Sequence, residues 1–170
     1  MDRWDRAGTQ LALLADDDRE TARFARPWLL SHGFELVHAR AAVAALELLQ
    51  RMPESFGLVL VSLDLPDIPG AVLIETLRLF RPELRVICLT TPDQEVELDV
   101  AACLSKPINR MEFNSQLSQA LGRTPAPVLL ANFDEDTIAR ARTRYAVSGS
   151  LIEAARELSR GFVSGAGGSG

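Results

Sequence analysis

The stretch Leu11-Ala-Leu-Leu-Ala-Asp-Asp-Asp18, five apolar residues running straight into three carboxylates, decides how the rest of the chain is read. An uninterrupted apolar run of this length fits a strand covered on both faces, as the strands of parallel sheets are. Asp16, Asp17 and Asp18 repel one another unless solvent or a cation relieves them, so the carboxyl end of the run reads as an exposed edge and a credible seat for a hard cation.

Outward from this strand, short aliphatic runs recur at 34–39, 57–63, 84–90 and 101–105. Amphipathic stretches fill the gaps at 20–31, 41–51, 70–80 and, briefly, near 93–100, and a fifth helix follows at 108–121. Strand and helix thus alternate five times, which predicts an α/β fold with a parallel sheet covered by helices on both faces. Gly33 ends the first helix, Pro66 and Pro69 bracket the loop after the third strand, and Pro82 follows the third helix. Pro27 falls inside the first helix and removes a backbone donor there, so a kink or a late start is expected.

The 170 residues suffice for one full domain and a small appendage. Residues 1–10 read as an N-terminal extension, 11–121 as the main domain, 122–126 as a Pro-containing linker, 127–162 as an appendage and 163–170 as a flexible tail. A hydrophobic share of 47% is enough for a packed core, and a net charge of -5 argues against broad electrostatic capture of nucleic acid. Protein partners fit better. Cys88 and Cys103 lie inside apolar runs and read as buried, reduced thiols of a cytosolic protein. The opening MDRWDRAGTQ lacks a signal-peptide core and no apolar run reaches the ~18 residues of a membrane span, so a cytoplasmic chain without membrane contact is expected.

Ligands of open α/β sheets gather outside the carboxyl ends of the strands. Besides the three aspartates, that edge receives Thr90 and Thr91 from the fourth strand, and Ser105-Lys106-Pro107 from the fifth. In this order, LLADDD, SLDLPDIPG, the LT pair and the SKP triplet resemble the chemotaxis-type receiver domains of response regulators, over residues 11–121. The resemblance implies a doubly wound, flavodoxin-like five-stranded sheet of order 2-1-3-4-5. It further implies that Asp16 and Asp17 are the acidic pair that holds Mg²⁺, that Thr90 is the hydroxyl following a phosphoryl group, and that Lys106 pairs with a phosphoryl oxygen. Pro107 matches a proline whose preceding bond is usually cis.

Three departures separate the chain from that pattern. The reactive aspartate of the family stands four residues before the loop proline, and counting back from Pro66 lands on Ser62. A serine must lose a proton before it attacks a phosphoryl donor, and its position contributes no carboxylate to a cation, so metal affinity should be weak. In the competing register, Asp64 is the acceptor and the following loop is two residues shorter. Thr90 and Lys106 are sixteen positions apart, fewer than is usual, which implies a shortened fourth helix. Cys103 occupies the position at which the family often carries a switching aromatic ring.

Taken together, these features predict a non-enzymatic pseudo-receiver, a phosphorylation-independent protein-interaction module in two-component-type signalling, with homodimerisation as one mode. The alternatives are a conventional phosphoaccepting regulator using Asp64 with Mg²⁺, and the regulatory part of a transcription factor. Two bland readings stand beside them: Asp16 to Asp18 as a vestigial solvated turn that also caps the first helix, and Thr90 and Lys106 as packing and solvent-facing charge. His32 and His38 lack partner ligands at metal-binding spacing.

The appendage repeats the chain's own opening at Leu13/Leu129, Leu14/Leu130, Ala15/Ala131, Asp18/Asp134, Thr21/Thr137, Ala25/Ala141, Arg26/Arg142 and Gly33/Gly149. It reads either as the start of a second receiver-like unit, which must pack on the first domain or on another copy, or as a dimerisation element. SGSLIEAARELSRG also resembles the second helix of a Fis-type helix-turn-helix, but only FVSGAGGSG follows Gly161, leaving no recognition helix. DNA binding by this chain is therefore not expected.

Overall fold

The computed structural model describes residues 10–91, 102–122 and 133–162. Five parallel strands, β1 (Gln10–Ala15), β2 (Phe34–Ala39), β3 (Phe56–Ser62), β4 (Arg85–Thr90) and β5 (Ala102–Ser105), form one sheet of order β2-β1-β3-β4-β5. The expected strand order is present. Helices α1 (Arg19–Ser31), α2 (Ala42–Arg51), α3 (Gly70–Phe80) and α4 (Arg110–Gly122) connect or follow the strands, and α5 (Glu135–Ser148) and α6 (Leu151–Gly161) form the appendage. The short helix expected near 93–100, the linker at 122–126 beyond Gly122 and the strand-like start of the appendage lie outside the described residues.

Because the strands are buried on both faces, the core divides into two layers. Ala12, Leu14, Leu58, Leu60, Ile87 and Leu89 face α1 and α4, where Ala25, Leu29, Phe113 and Leu117 cover them. Leu13, Val59, Val61, Val86 and Cys88 face α2 and α3. Pro27 neither delays nor ends α1, which starts at Arg19 under an Asp18 cap. The carbonyl deprived of a donor by Pro27 belongs to Arg23; both residues are exposed, so water can satisfy it.

Helix α3 departs from simple amphipathicity, since every residue from Val72 to Arg78 is buried, including Glu75 and Arg78. A helix apolar all round needs cover on both sides. The sheet provides it on one side, and α6 packs against α3 and α2 on the other. Ala155 and Leu158 of α6 belong to the same core cluster as Leu73 and Leu77, the ring of Tyr145 from α5 stacks on Phe80 at 4.5 Å between centroids, and Gln50 Oε1 accepts the N–H of Leu151. The appendage therefore packs on the first domain, one of the two outcomes its sequence allowed.

Within the appendage, Asp134 caps α5 by accepting from Thr137 N at 2.7 Å, as Asp18 caps α1, and Gly149 takes a left-handed φ of 66° where Gly33 takes 86°. The likeness to the chain's opening stops there. A strand follows Gly33, whereas Ser150 caps a helix and, with Glu153, provides both ends of a capping-box sequence. Glu157 then ties the two helices together, facing Arg140 at 3.5 Å, Arg144 at 3.8 Å and Arg160 at 2.5 Å.

Leu158→Ala should destabilise the protein by about 2–5 kcal/mol, the usual cost of a buried leucine truncation. Because α6 shares its core with α3, urea unfolding followed by circular dichroism should still give one transition; an early separate melting of the appendage would contradict the shared core.

Candidate functional site

The sheet order reverses direction between β1 and β3, and in such sheets the crevice outside the carboxyl ends of those two strands is where ligands bind. Ala15 and Val61 are register partners, so Asp16 and Ser62 are the next residues outward on the two strands. Ser62 is the last residue of β3, buried, and its hydroxyl accepts from Asp64 N at 3.3 Å. Asp64 is exposed and lies two residues into the loop. Gly70 closes that loop: its N–H reaches Leu63 O at 3.1 Å, and a Cβ there would meet Ser62 O at 2.0 Å, so the first turn of α3 can lie against the end of β3 only with glycine.

Asp16 is buried, with the Nζ of Lys106 at 2.7 Å from Oδ2 and the N–H of Asp18 at 3.0 Å from Oδ1. Its backbone is held as well, through Asp16 N to Ala39 O at 3.0 Å and His38 Nε2 at 2.7 Å from Asp16 O. Lys106, itself 21% exposed, is anchored by its N–H to Thr90 O at 2.7 Å, and the Lys106–Pro107 peptide is cis, as the resemblance implied. The Asp16–Lys106 ion pair gives Lys106 a structural partner in place of a merely solvent-facing charge. Thr90 turns its hydroxyl to Leu104 O at 3.4 Å.

The three aspartates of the opening motif go to three different tasks. Asp17 faces Arg40 at 3.6 Å on the surface, and Asp18 accepts from Glu20 N at 2.9 Å and Thr21 Oγ1 at 3.3 Å as the cap of α1. Among the described residues, no group of three or more His, Cys, Asp or Glu side chains is arranged to hold a metal ion. The expected Mg²⁺ pair, Asp16 and Asp17, has each carboxylate beside a basic side chain, so the residues present fit the ion poorly. His32 stands 3.3 Å from Asn114 Oδ1 and His38 on the Asp16 carbonyl, both ordinary half-buried positions.

Cys88 is buried as expected, but Cys103 is exposed, a correction that follows from its place on the edge strand. Cys88 and Cys103 are register partners on β4 and β5. The neighbouring Cys103 thiol and burial push Cys88 well above the ordinary thiol range, while Cys88 lowers Cys103 against the opposing effect of burial.

Asp67 had no assigned role. Helix α2 begins at Ala41-Ala42 without a capping side chain of its own, and Asp67 caps it from the β3–α3 loop by accepting from Ala42 N at 2.9 Å and Val43 N at 2.8 Å. The signal was the missing cap itself, since HARAAVAAL starts a helix with no Ser, Thr, Asp or Asn at hand. Burial would raise the Asp67 carboxyl, but the N–H groups of Val43, Ala42, Ile68 and Asp67 outweigh it and hold it below its usual value. Asp67 also lines an open cleft of about 430 Å³ with Val43, Ile68, Arg156, Ser159 and Arg160, where α6 passes the loop. No helix among the described residues is long and apolar enough to cross a membrane.

Comparison with known proteins agrees with this geometry. Residues 12–118 match the family model of the response regulator receiver domain. The chain is 32% identical over 123 residues to a transcriptional regulatory protein CpxR homolog of Haemophilus influenzae, covering 68% of this chain and 52% of that protein. It is 28% identical over 116 residues to the response regulator receiver protein CpdR of Brucella abortus, covering 64% of this chain and 94% of that one. Among solved structures, the signal receiver domain of an HD domain-containing protein from Pseudomonas fluorescens superposes with a TM-score of 0.59 at 27% identity, over 66% of this chain and 94% of the other. The chain thus spans about half the length of the first of these relatives and nearly the whole of the second.

Asp67→Ala should cost about 0.5–2 kcal/mol, as loss of a helix cap does. A carboxyl whose folded value is depressed stabilises above its unfolded value, near pH ~4, and the contribution disappears as pH falls through the lower folded value. The gap between wild type and variant in urea titrations should therefore be full at neutral pH and shrink in acid; a gap independent of pH would refute the cap. Lys106→Met keeps the aliphatic stem but leaves the buried Asp16 carboxylate without its cation, at an expected cost of about 1–3 kcal/mol, moderated by the partial exposure of Lys106. Thermal unfolding at wild-type temperature would show that the ion pair contributes nothing.

Proposed function

The chain belongs to the response regulator receiver domain family, and on that premise we propose that it is a non-enzymatic signalling module whose conformation is set without phosphoryl transfer and read by a protein partner. The observation that carries this reading is Ser62 at the carboxyl end of β3, level with Asp16, the residue that follows β1. A hydroxyl there needs a base before it attacks phosphorus. The carboxylate at the end of the neighbouring strand, that of Asp16, already faces the Lys106 ammonium and the Asp18 N–H. The end of β3 at Ser62 and the tight Gly70 contact support the register that leaves Asp64 outside the strand.

A module of this kind acts in the cytoplasm, in two-component-type signalling, by docking on another protein or on a second copy of itself. Its charge of -5 supports a protein partner over nucleic acid. The relative from Haemophilus influenzae is named a transcriptional regulatory protein; in this chain the described appendage helices support packing on α3, with α6 spending its apolar face there. Little Mg²⁺ dependence is expected, because the basic side chains beside Asp16 and Asp17 already compensate them.

Intact-protein mass after incubation with Mg²⁺ and acetyl phosphate tests the reading, alongside a receiver that is known to accept phosphate. No addition of about 80 Da, the mass of one phosphoryl group, is expected. A hydroxylamine-labile addition that disappears in Asp64→Asn would overturn the proposal and identify Asp64 as the acceptor.

A further inference from the structure

We propose that Cys103 is a thiol-oxidation site for a hydroperoxide and that Cys88, its neighbour on the next strand, is the resolving thiol that closes a disulfide between β4 and β5. Cys88 and Cys103 are register partners in the parallel ladder. Adjacent strands lie ~4.8 Å apart, inside the span of about 4.4–6.8 Å between the Cα atoms of disulfide-bonded cysteines. Register partners project to the same face of the sheet, so the two thiols are neighbours across β4 and β5. Cys103 sits exposed on the edge strand, while Cys88 has no exposed surface.

This asymmetry assigns the two roles. Exposure brings Cys103 to the peroxide first, and the neighbouring Cys88 lowers it toward the thiolate, the form that attacks peroxide. Attack by the Cys103 thiolate on the hydroperoxide breaks the O–O bond, giving a sulfenic acid at Cys103, and the departing alkoxide takes back from water the proton that the thiol had released and leaves as the alcohol. The Cys88 sulfur then attacks the sulfenic sulfur; hydroxide departs, takes the Cys88 proton and leaves as water as the S–S bond forms. Two thiols lose two electrons, and the hydroperoxide is reduced to alcohol and water. The product cross-links the edge strand three residues before Lys106, the residue that reaches across to Asp16, so oxidation would fix the strand that supplies the site's cation.

The intact chain treated with hydrogen peroxide and then weighed tests the proposal. A loss of about 2 Da is expected, with a Cys88–Cys103 linked peptide after proteolysis and full reversal by dithiothreitol. Cys103→Ser, a change at an exposed position, should abolish the loss. Cys88→Ala, checked by circular dichroism for retained structure, should leave a sulfenic acid at Cys103 that dimedone captures. Unchanged mass, oxygen addition at Cys103 with Cys88 still alkylated after unfolding, or a cross-link between chains would each overturn the assignment.

Discussion

Helix α3 has no face to give to solvent over two turns, and that constraint organises one side of the molecule. From Val72 to Arg78 each residue is buried, so the helix is stable only where apolar surface meets it from two directions. The sheet does so from one side through Val59, Val61 and Val86, and α6 from the other through Ala155 and Leu158. Removing α6 would present a helix with the apolar load of a core strand to water, a load of several leucine-sized side chains at roughly 1.5–3 kcal/mol each. The appendage is for this reason a third layer of the fold, and its α5 acts mainly as a brace, held to α6 by the arginines around Glu157 and to α3 by the Tyr145–Phe80 stack.

The same helix carries the site's geometry outward. Its first residue, Gly70, rests against the backbone of Ser62, and the loop between them holds Asp67, which caps α2 and borders the cleft with Arg156 and Arg160 of α6. A displacement at the end of β3 cannot stay local, because Ser62 O leaves no room at Gly70 and the Asp67 carboxylate is bonded to two backbone N–H groups of another helix. Close packing makes such a chain of contacts rigid.

The sheet was legible because its signal is collective: five apolar runs with helical spacers admit few topologies, and the observed strands fall within about a residue of the runs. The positions of Asp16, Ser62, Thr90 and Lys106 at the strand ends were legible for the same reason. What escaped was set by three-dimensional neighbours. A single sequence gives no sign that Asp67 serves a helix begun 25 residues earlier, or that Pro27 would be harmless on an exposed face. Cys103 looked buried because its flanking residues are apolar, yet edge strands keep one side free of a sheet neighbour. The internal likeness of 13–33 and 129–149 captured a capped helix and its terminal glycine, and then failed at Ser150, whose capping box starts a helix where the first copy starts a strand.

Charge is where the serine changes most. A carboxylate at Ser62 would put a second anion at the strand end next to that of the buried Asp16, whose oxygen already faces the ammonium of Lys106. Like charges at such separation are costly in a partly desolvated site and call for a further cation. With serine in place the count balances: Asp16 faces Lys106, Asp17 faces Arg40, and Asp18 is spent on the N-terminus of α1. Each of these carboxylates thus finds its compensation within the chain. The resting arrangement of these three aspartates is therefore a paired one, held by Lys106, Arg40 and the N-terminus of α1.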